Sequence, residues 1–238
     1  MPDDVFRDHT GVHPQRQAGL YSVGVSVLNG RLSGQTLLAL ADLVETHAGG
    51  ELRTTVNQNF LIPGVPEASL TVVLDWLKTL GLHVEANNFW RGTVACTGTE
   101  FCKLAITETK GFARWLAEEM DARLPGFDQQ LKLHITGCPN NCGQAWIGDI
   151  GLEGKKIKHN GKLVDAWYFA LGGALGQHAG FARQINYRCR SEEVPDALEH
   201  LFRAYLDQRE DGQNLRAWFA AHSNEELREI LEAVPIPA

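Results

Sequence analysis

The first third of the chain alternates between two kinds of hydrophobic pattern. Apolar residues recur at every second position in residues 20–28, which predicts a strand with one buried face, and residues 52–62 are predicted to form a second β segment. Apolar residues recur at helical spacing in residues 33–49 and 67–80, which predicts two helices. Turn-forming or breaking pairs separate these segments, namely Asn29-Gly30, Gly49-Gly50 and Pro63-Gly64. This β-α-β-α order predicts a compact unit about half the size of a two-layer sandwich.

A second unit is predicted to begin near Asn87. Val94-Ala95 predicts a short strand, and residues 107–124 have the apolar spacing of a helix. Further strands are predicted over 131–135, 146–152, 163–171 and 182–188. Two closing helices are predicted over 194–208 and 223–234.

Composition places the chain among ordinary globular proteins. Of the 238 residues, 44% are hydrophobic and 21% are charged. No run approaches the roughly 20 apolar residues that a membrane-spanning helix needs, and the N-terminus lacks an export signal. We therefore expect a cytoplasmic protein, or one of an organelle stroma after processing. The net charge of −7 argues against a nucleic-acid-binding protein.

The cysteines carry the strongest chemical signal. Four of the five cysteines form two pairs, Cys96-x5-Cys102 and Cys138-x3-Cys142, while Cys189 stands alone. Disulfides are rare in the cytoplasm, so clustered cysteines there indicate metal binding or catalysis. Thiolates select zinc, copper(I) or iron–sulfur clusters. Cys189 is predicted to be a small buried hydrophobic residue.

The spacing favours a [4Fe–4S] cluster and leaves zinc as the alternative. Zinc ribbons use short C-x2-4-C knuckles, which the five-residue gap fits poorly, whereas a cubane is wider and needs longer loops. Both loops also contain residues that tolerate unusual backbone angles, so that their amide groups can point at cluster sulfurs. These residues are Gly98, Gly137, Asn140, Asn141 and Gly143.

Several motifs together resemble the siroheme-containing nitrite and sulfite reductase family. The resemblance extends from about Gly11 to Leu231 and is carried by GVHPQRQAGLYSVGVSVLNGRL, LRTTVNQNFLIP, CTGTEFC, ITETK, TGCPNNCGQAWIGDIGLEG and EEVPDALEHLFRAYLDQR. It implies an α+β fold, with a ferredoxin-like half-domain over 11–82 followed by an α/β siroheme- and [4Fe–4S]-binding domain over 87–238. The CTG and ETK segments resemble the ferredoxin-dependent nitrite branch more than the sulfite branch.

The resemblance also implies cofactors and an activity. Cys96, Cys102, Cys138 and Cys142 would bind one [4Fe–4S] cluster, and Cys142 would also bridge to the siroheme iron. The expected activity is that of an oxidoreductase that reduces nitrite to ammonia with six electrons from a ferredoxin-type donor. Sulfite reduction, or a cluster-bearing electron-transfer subunit without its own catalysis, is the alternative.

Complete members of this family contain two copies of this module, and the present chain resembles the second copy alone. The first copy supplies basic side chains to the substrate face. In this chain Arg53, Lys103, Gln58 and Asn59 are candidates for contacts with the cofactor, although surface or structural roles are common for such residues. We therefore expect an N-terminal half-reductase partner or, alternatively, a homodimer.

Two further features have more than one interpretation. The segment Lys155–Lys162 is rich in positive charge and could dock an acidic electron carrier, but a solvated hairpin around Asn160-Gly161 is the favoured prediction. His134 precedes the second cysteine pair and is predicted to be structural.

Overall fold

A computed structural model of the chain describes residues 8–176 and 179–233. The backbone forms two compact units, of which the first ends at Arg91 and the second begins at Gly92. Each unit has its own sheet and its own helices, so the predicted α+β fold class is confirmed. In the part of the chain that the structure describes, no helix is both long enough and apolar enough to cross a bilayer.

The first unit is an antiparallel sheet with two helices. Its elements are β1 (Gly11–Pro14), β2 (Leu20–Val25), α1 (Gly34–His47), β3 (Arg53–Thr54), β4 (Phe60–Pro66) and α2 (Leu70–Thr79). The strands lie in the order β1-β2-β4-β3. The core contains fully buried side chains from β2, α1, β4 and α2, including Val23, Val25, Leu40, Leu43, Ile62, Val65, Val73 and Leu77.

Both predicted helices of this unit begin and end near the expected residues. The Ser33 hydroxyl accepts a hydrogen bond from the Thr36 amide at 3.0 Å and so caps the start of α1. Gly81 follows α2 with a φ of 70°, a conformation that glycine adopts without strain.

The prediction of one β segment over 52–62 with a break at Pro63-Gly64 was wrong. Residues 55–59 instead form a turn between β3 and β4, with Gln58 at a φ of 59°. Strand β4 continues through Pro63. Strand β3 pairs only with Phe60 and Leu61 of β4, so no hydrogen bond to β3 requires an amide at residue 63. The pairing of β2 with β4 is irregular at the same place.

The second unit contains a mixed sheet with helices. The short helix α3 (Asn88–Gly92) closes the first unit, with only its last residue in the second. The elements of the second unit are β5 (Thr93–Ala95), α4 (Lys110–Arg123), β6 (Leu133–Thr136), β7 (Ile150–His159), β8 (Lys162–Leu171), β9 (Arg183–Arg190), α5 (Val194–Gln208), α6 (Leu215–Ala221) and α7 (Asn224–Leu231). The strand order is β5-β6-β7-β8-β9. Strands β5, β6 and β7 are parallel, and β8 and β9 complete an antiparallel meander. Phe112 of α4 stacks on the fully buried Trp167 of β8, with ring centroids 4.2 Å apart.

Several element bounds differ from the prediction. Strand β7 starts at Ile150 rather than 146, because residues 145–147 form a 3-10 turn. The short elements β1 and α6 were not predicted at all. The hairpin at Asn160-Gly161 is confirmed, with φ angles of 49° and 78°. The last helix was predicted to reach Val234, which lies outside the described residues.

Candidate metal centre

The two cysteine loops leave the sheet at the same edge. Cys96 directly follows β5, and Cys138 comes two residues after the end of β6. These strands are parallel neighbours in which Ala95 pairs with Ile135, and the Cys96 amide donates to the Ile135 carbonyl at 3.0 Å. Parallel neighbours end on the same side of a sheet. The two loops therefore start side by side.

Direct hydrogen bonds join the two loops at Gly137. The Gly137 carbonyl accepts from the amides of Ile106 and Thr107, at 2.8 and 3.2 Å. The Gly137 amide donates to Cys96 Sγ at 3.2 Å. A backbone amide that points at a cysteine sulfur is an arrangement that also stabilises metal-bound thiolates.

Glycines allow the loops to approach this closely. A Cβ atom on Gly143 would lie 2.1 Å from the Ile135 carbonyl oxygen, and one on Gly137 would lie 3.0 Å from that of Thr107. Gly98 and Asn141 have φ angles of 62° and 55°, as the loop composition predicted. The requirement at Gly137 and Gly143 is for space rather than for an unusual φ angle.

The turn between Cys138 and Cys142 is held by its own backbone and by Asn141. The Asn141 amide donates to the Cys138 carbonyl at 3.1 Å. Its side-chain oxygen accepts from the Ala145 amide at 2.7 Å. The left-handed Asn141 thus fixes the chain direction on both sides of Cys142.

The four sulfurs differ in exposure. Cys138 is buried, Cys96 and Cys102 are half-buried, and Cys142 is exposed. Over residues 8–176 and 179–233, no three side chains of His, Cys, Asp or Glu are gathered closely enough to hold one metal ion. A cubane is wider than a single ion and spreads its ligands farther apart. The shared four-sulfur site therefore stays a prediction, and it rests on cysteine spacing and loop contacts.

Cys189 differs from the other cysteines in place and chemistry. It lies on β9, where it is 6% exposed. Burial raises the pKa of its thiol to about 12. The thiol is therefore protonated at neutral pH, in agreement with the predicted role as a small buried hydrophobic residue.

The structure places the other candidate residues as follows. In the first unit, the exposed Arg53 side chain forms an ion pair with Glu51, with Nε and Oε1 2.6 Å apart. Asn59 is buried, and its side-chain oxygen accepts from the Val27 amide at 2.8 Å. Gln58 is half-buried in the turn, and Lys103 of the second unit is exposed. Asn59 thus has a structural hydrogen bond, and the cofactor contacts of all these residues stay predictions.

A buried ion pair at the strand ends opposite the cysteine loops had no signal in the sequence. Lys132 and Asp149, which are 9% and 6% exposed, immediately precede β6 and β7. Lys132 Nζ lies 3.0 Å from both carboxylate oxygens, and the Lys132 amide donates to the same carboxylate at 2.7 Å. The pair holds together the starts of the strands that lead into and out of the second loop.

His134 is structural, as predicted, and it contacts the second loop. Its Nδ1 lies 3.0 Å from the Gln144 carbonyl, and its Nε2 is buried without a hydrogen-bond partner among the described residues. Burial lowers the pKa of this imidazole from 6.5 to about 4. The ring is therefore neutral at pH 7, with its proton on Nδ1.

This lowered pKa predicts a pH-dependent stability. Because the native state resists protonation of His134, stability is complete above pH 6.5 and falls as the pH drops toward 4. The expected contribution to the loss in free energy of unfolding is about 2 kcal/mol between pH 8 and pH 5. Urea titrations of the wild type and His134→Asn at both pH values measure it. Between pH 8 and pH 5, the free energy of unfolding of the variant should fall by about 2 kcal/mol less than that of the wild type. An identical decrease in both proteins would contradict the assignment.

Comparisons with known proteins identify the family. Residues 13–80 match the nitrite/sulfite reductase ferredoxin-like half domain, and residues 86–235 match the nitrite and sulphite reductase 4Fe-4S domain. The chain belongs to the nitrite/sulfite reductase family. Reductases of this family carry siroheme together with a [4Fe–4S] cluster.

The relatives include proteins named for either substrate. The assimilatory ferredoxin-dependent nitrite reductase of Haloferax mediterranei is 40% identical, over 95% of this chain and 39% of its own length. Sulfite reductase [ferredoxin] 1 of Mycolicibacterium paratuberculosis is 37% identical, over 93% of this chain and 41% of its own. The structure of Mycobacterium tuberculosis NirA superposes with a TM-score of 0.88 at 34% identity and covers 94% of this chain and 42% of that one. The chain thus spans about two fifths of the length of these relatives.

Proposed function

We propose that this chain is the cofactor-binding part of a ferredoxin-dependent nitrite reductase, with sulfite as the second candidate substrate. The observation that carries the proposal is the junction at Gly137, where the loops bearing both cysteine pairs are hydrogen-bonded together. The CTG and ETK segments, which resemble the nitrite branch, favour nitrite. We place the protein in the cytoplasm, consistent with five cysteines that form no disulfide.

In this proposal the four paired cysteines each have a defined task. Cys96, Cys102 and Cys138 would hold the cluster, and Cys142 would be the thiolate available to both the cluster and the siroheme iron. The exposure of Cys142 supports this role, because a shared thiolate must be reachable from a second metal. When bound, the coupled cofactors supply single electrons to the substrate anion, while the protein provides orientation and electrostatics.

The proposal includes an N-terminal half-reductase partner, with a homodimer as the alternative. The chain matches about two fifths of the length of these relatives, so the remaining part of a reductase would be needed alongside it. Phe101 and Leu104, on either side of Cys102, are 74% and 71% exposed, and such paired exposure is typical of a surface that another group covers. The partner would supply the basic side chains for an anionic substrate.

Steady-state assays test the proposed substrate. The chain reconstituted with both cofactors is assayed on nitrite and on sulfite, with and without an added N-terminal half-reductase module. The proposal predicts faster turnover of nitrite and a requirement for the module. Faster turnover of sulfite would favour the second candidate, and no turnover of either anion with the module present would contradict the proposal.

We further propose that a ferredoxin-type donor would dock on strands β7 to β9. Strands β7 to β9 carry 7 of the 22 basic residues but only 2 of the 29 acidic ones, which makes this sheet region positive in an otherwise acidic chain. A Cβ atom on Gly154 of β7 would lie 1.9 Å from Thr107 Oγ1, so β7 touches the first cysteine loop. The positive strand is therefore adjacent to the proposed cluster, where an acidic electron carrier would need to bind.

Charge reversal on the β7–β8 hairpin tests whether its lysines dock ferredoxin or only contact solvent. Lys155 and Lys156 are paired with Glu153 and Asp165, whereas Lys158 and Lys162 have no carboxylate partner among the described residues. We expect Lys158→Glu/Lys162→Glu to slow reduction by ferredoxin roughly 10-fold at low salt. Stopped-flow spectroscopy measures the rate of reduction by ferredoxin. The rate of reduction by a small dye should be the same in the variant and the wild type.

Lys155→Glu/Lys156→Glu is the matched control on the same hairpin. It changes the net charge by the same amount, but at lysines that Glu153 and Asp165 already hold. An equal slowing in both double variants would indicate a general charge effect, whereas a smaller one here would indicate direct contact through Lys158 and Lys162. Equal ferredoxin-driven rates in the wild type and Lys158→Glu/Lys162→Glu would show that the hairpin is only solvated.

A further inference from the structure

Thr109 occupies a helix-capping position but does not cap its helix. It directly precedes α4, where a threonine side chain normally accepts a hydrogen bond from the second or third helical amide. Here Glu108 performs that task, since its carboxylate oxygens accept from the amides of Gly111 and Phe112 at 2.8 and 2.9 Å. The hydroxyl of Thr109 is therefore available for another partner.

That partner is the first cysteine of the first loop. Thr109 Oγ1 donates to the Cys96 carbonyl at 2.6 Å and lies 3.8 Å from Cys96 Sγ. Thr109 is fully buried, so this hydrogen bond is shielded from water. A side chain 13 positions away in sequence thus fixes the backbone that carries the sulfur.

The surroundings of Thr109 leave space for this side chain and for little else. A Cβ atom on Gly98 would lie 2.5 Å from Thr109 Oγ1, and one on Gly137 would lie 3.2 Å from Thr109 Cγ2. Two glycines, one from each loop, therefore make room for the hydroxyl and the methyl group. The same Gly137 donates its amide to Cys96 Sγ at 3.2 Å.

We infer that Thr109 is a positioning residue that holds Cys96 Sγ against the Gly137 amide and thereby sets the reduction potential of the cluster. This inference rests on the proposed function, in which Cys96 is a cluster ligand. An N–H group that donates to a ligand sulfur favours the more negatively charged, reduced state and raises the potential. Loss of the Thr109 hydroxyl would release the Cys96 carbonyl and weaken that hydrogen bond.

Redox titration of the cluster in three variants tests the inference. Thr109→Val keeps the shape and removes the hydroxyl, and its midpoint potential is expected to shift downward. Thr109→Ser keeps the hydroxyl and should restore the wild-type potential. Thr97→Val, at an exposed position of the same loop, is the matched control and should have no effect.

The outcomes distinguish this role from general packing. A wild-type potential in Thr109→Val with full iron content would overturn the inference, as would an equal downward shift in Thr109→Ser. If Thr109→Val folds by circular dichroism but loses iron that Thr109→Ser retains, the positioning role is supported through iron content instead. Wild-type protein that binds no cluster would contradict the proposed function itself, and with it the premise of this inference.

Discussion

Cys138→Ser is expected to lose nearly all of the visible absorption and iron of the anaerobically purified protein, whereas Cys189→Ala should keep both at the wild-type level. Cys138 comes two residues after β6, next to Gly137 at the junction of the two loops. A serine oxygen is a harder and less acidic ligand than a thiolate and is disfavoured by iron–sulfur clusters. Cys189 lies on β9 with a protonated thiol, so its removal should not affect metal binding.

The same loss is expected for serine at positions 96, 102 and 142, because a four-thiolate cluster needs every ligand. Cys142→Ser is also expected to weaken siroheme binding, since this thiolate would also bind the siroheme iron. Circular dichroism of each variant separates loss of the cluster from loss of the fold. Full iron content in any one of the four serine variants would remove that residue from the ligand set.

Lys132→Met is expected to lower the free energy of unfolding by about 3–5 kcal/mol. The substitution leaves the Asp149 carboxylate buried without its ammonium partner, although the Lys132 amide can still donate to it. Burial already raises the pKa of the Asp149 carboxyl, so the group takes up a proton more readily once the lysine is gone. Urea or guanidinium titration at pH 7 measures the change.

The double variant Lys132→Met/Asp149→Asn isolates the uncompensated charge as the cause. An asparagine oxygen can still accept from the backbone amide of residue 132, and no net charge is then buried. Most of the lost stability should therefore return. A single variant that loses less than about 1 kcal/mol would show that the pair behaves like an exposed ion pair rather than a buried one.

Local signals in the sequence predicted the local structure well. The capping box at Ser223 and Glu226 starts α7, and Asn160-Gly161 forms the turn between β7 and β8. In both cases the residues that determine the structure are within a few positions of each other. Pro63 shows where this reasoning fails, because its effect on β4 depends on how far the neighbouring strand β3 extends.

The cysteine spacing predicted a metal-binding constellation, but not the contacts that support it. Helix α4 was expected to begin at Thr107 and begins at Lys110, because Thr107 and Thr109 bind the cysteine loops instead. The pairing of Lys132 with Asp149 connects two segments 17 residues apart. Such contacts depend on the three-dimensional arrangement of strands and loops, for which a single sequence contains no periodic signal.

The proposed cluster is tested most directly by the metal and acid-labile sulfide content of the chain purified without oxygen. We expect about four iron atoms and four sulfides per chain, as a [4Fe–4S] cluster requires. One zinc ion per chain without labile sulfide would contradict it, and would show that the paired cysteines form a small structural site.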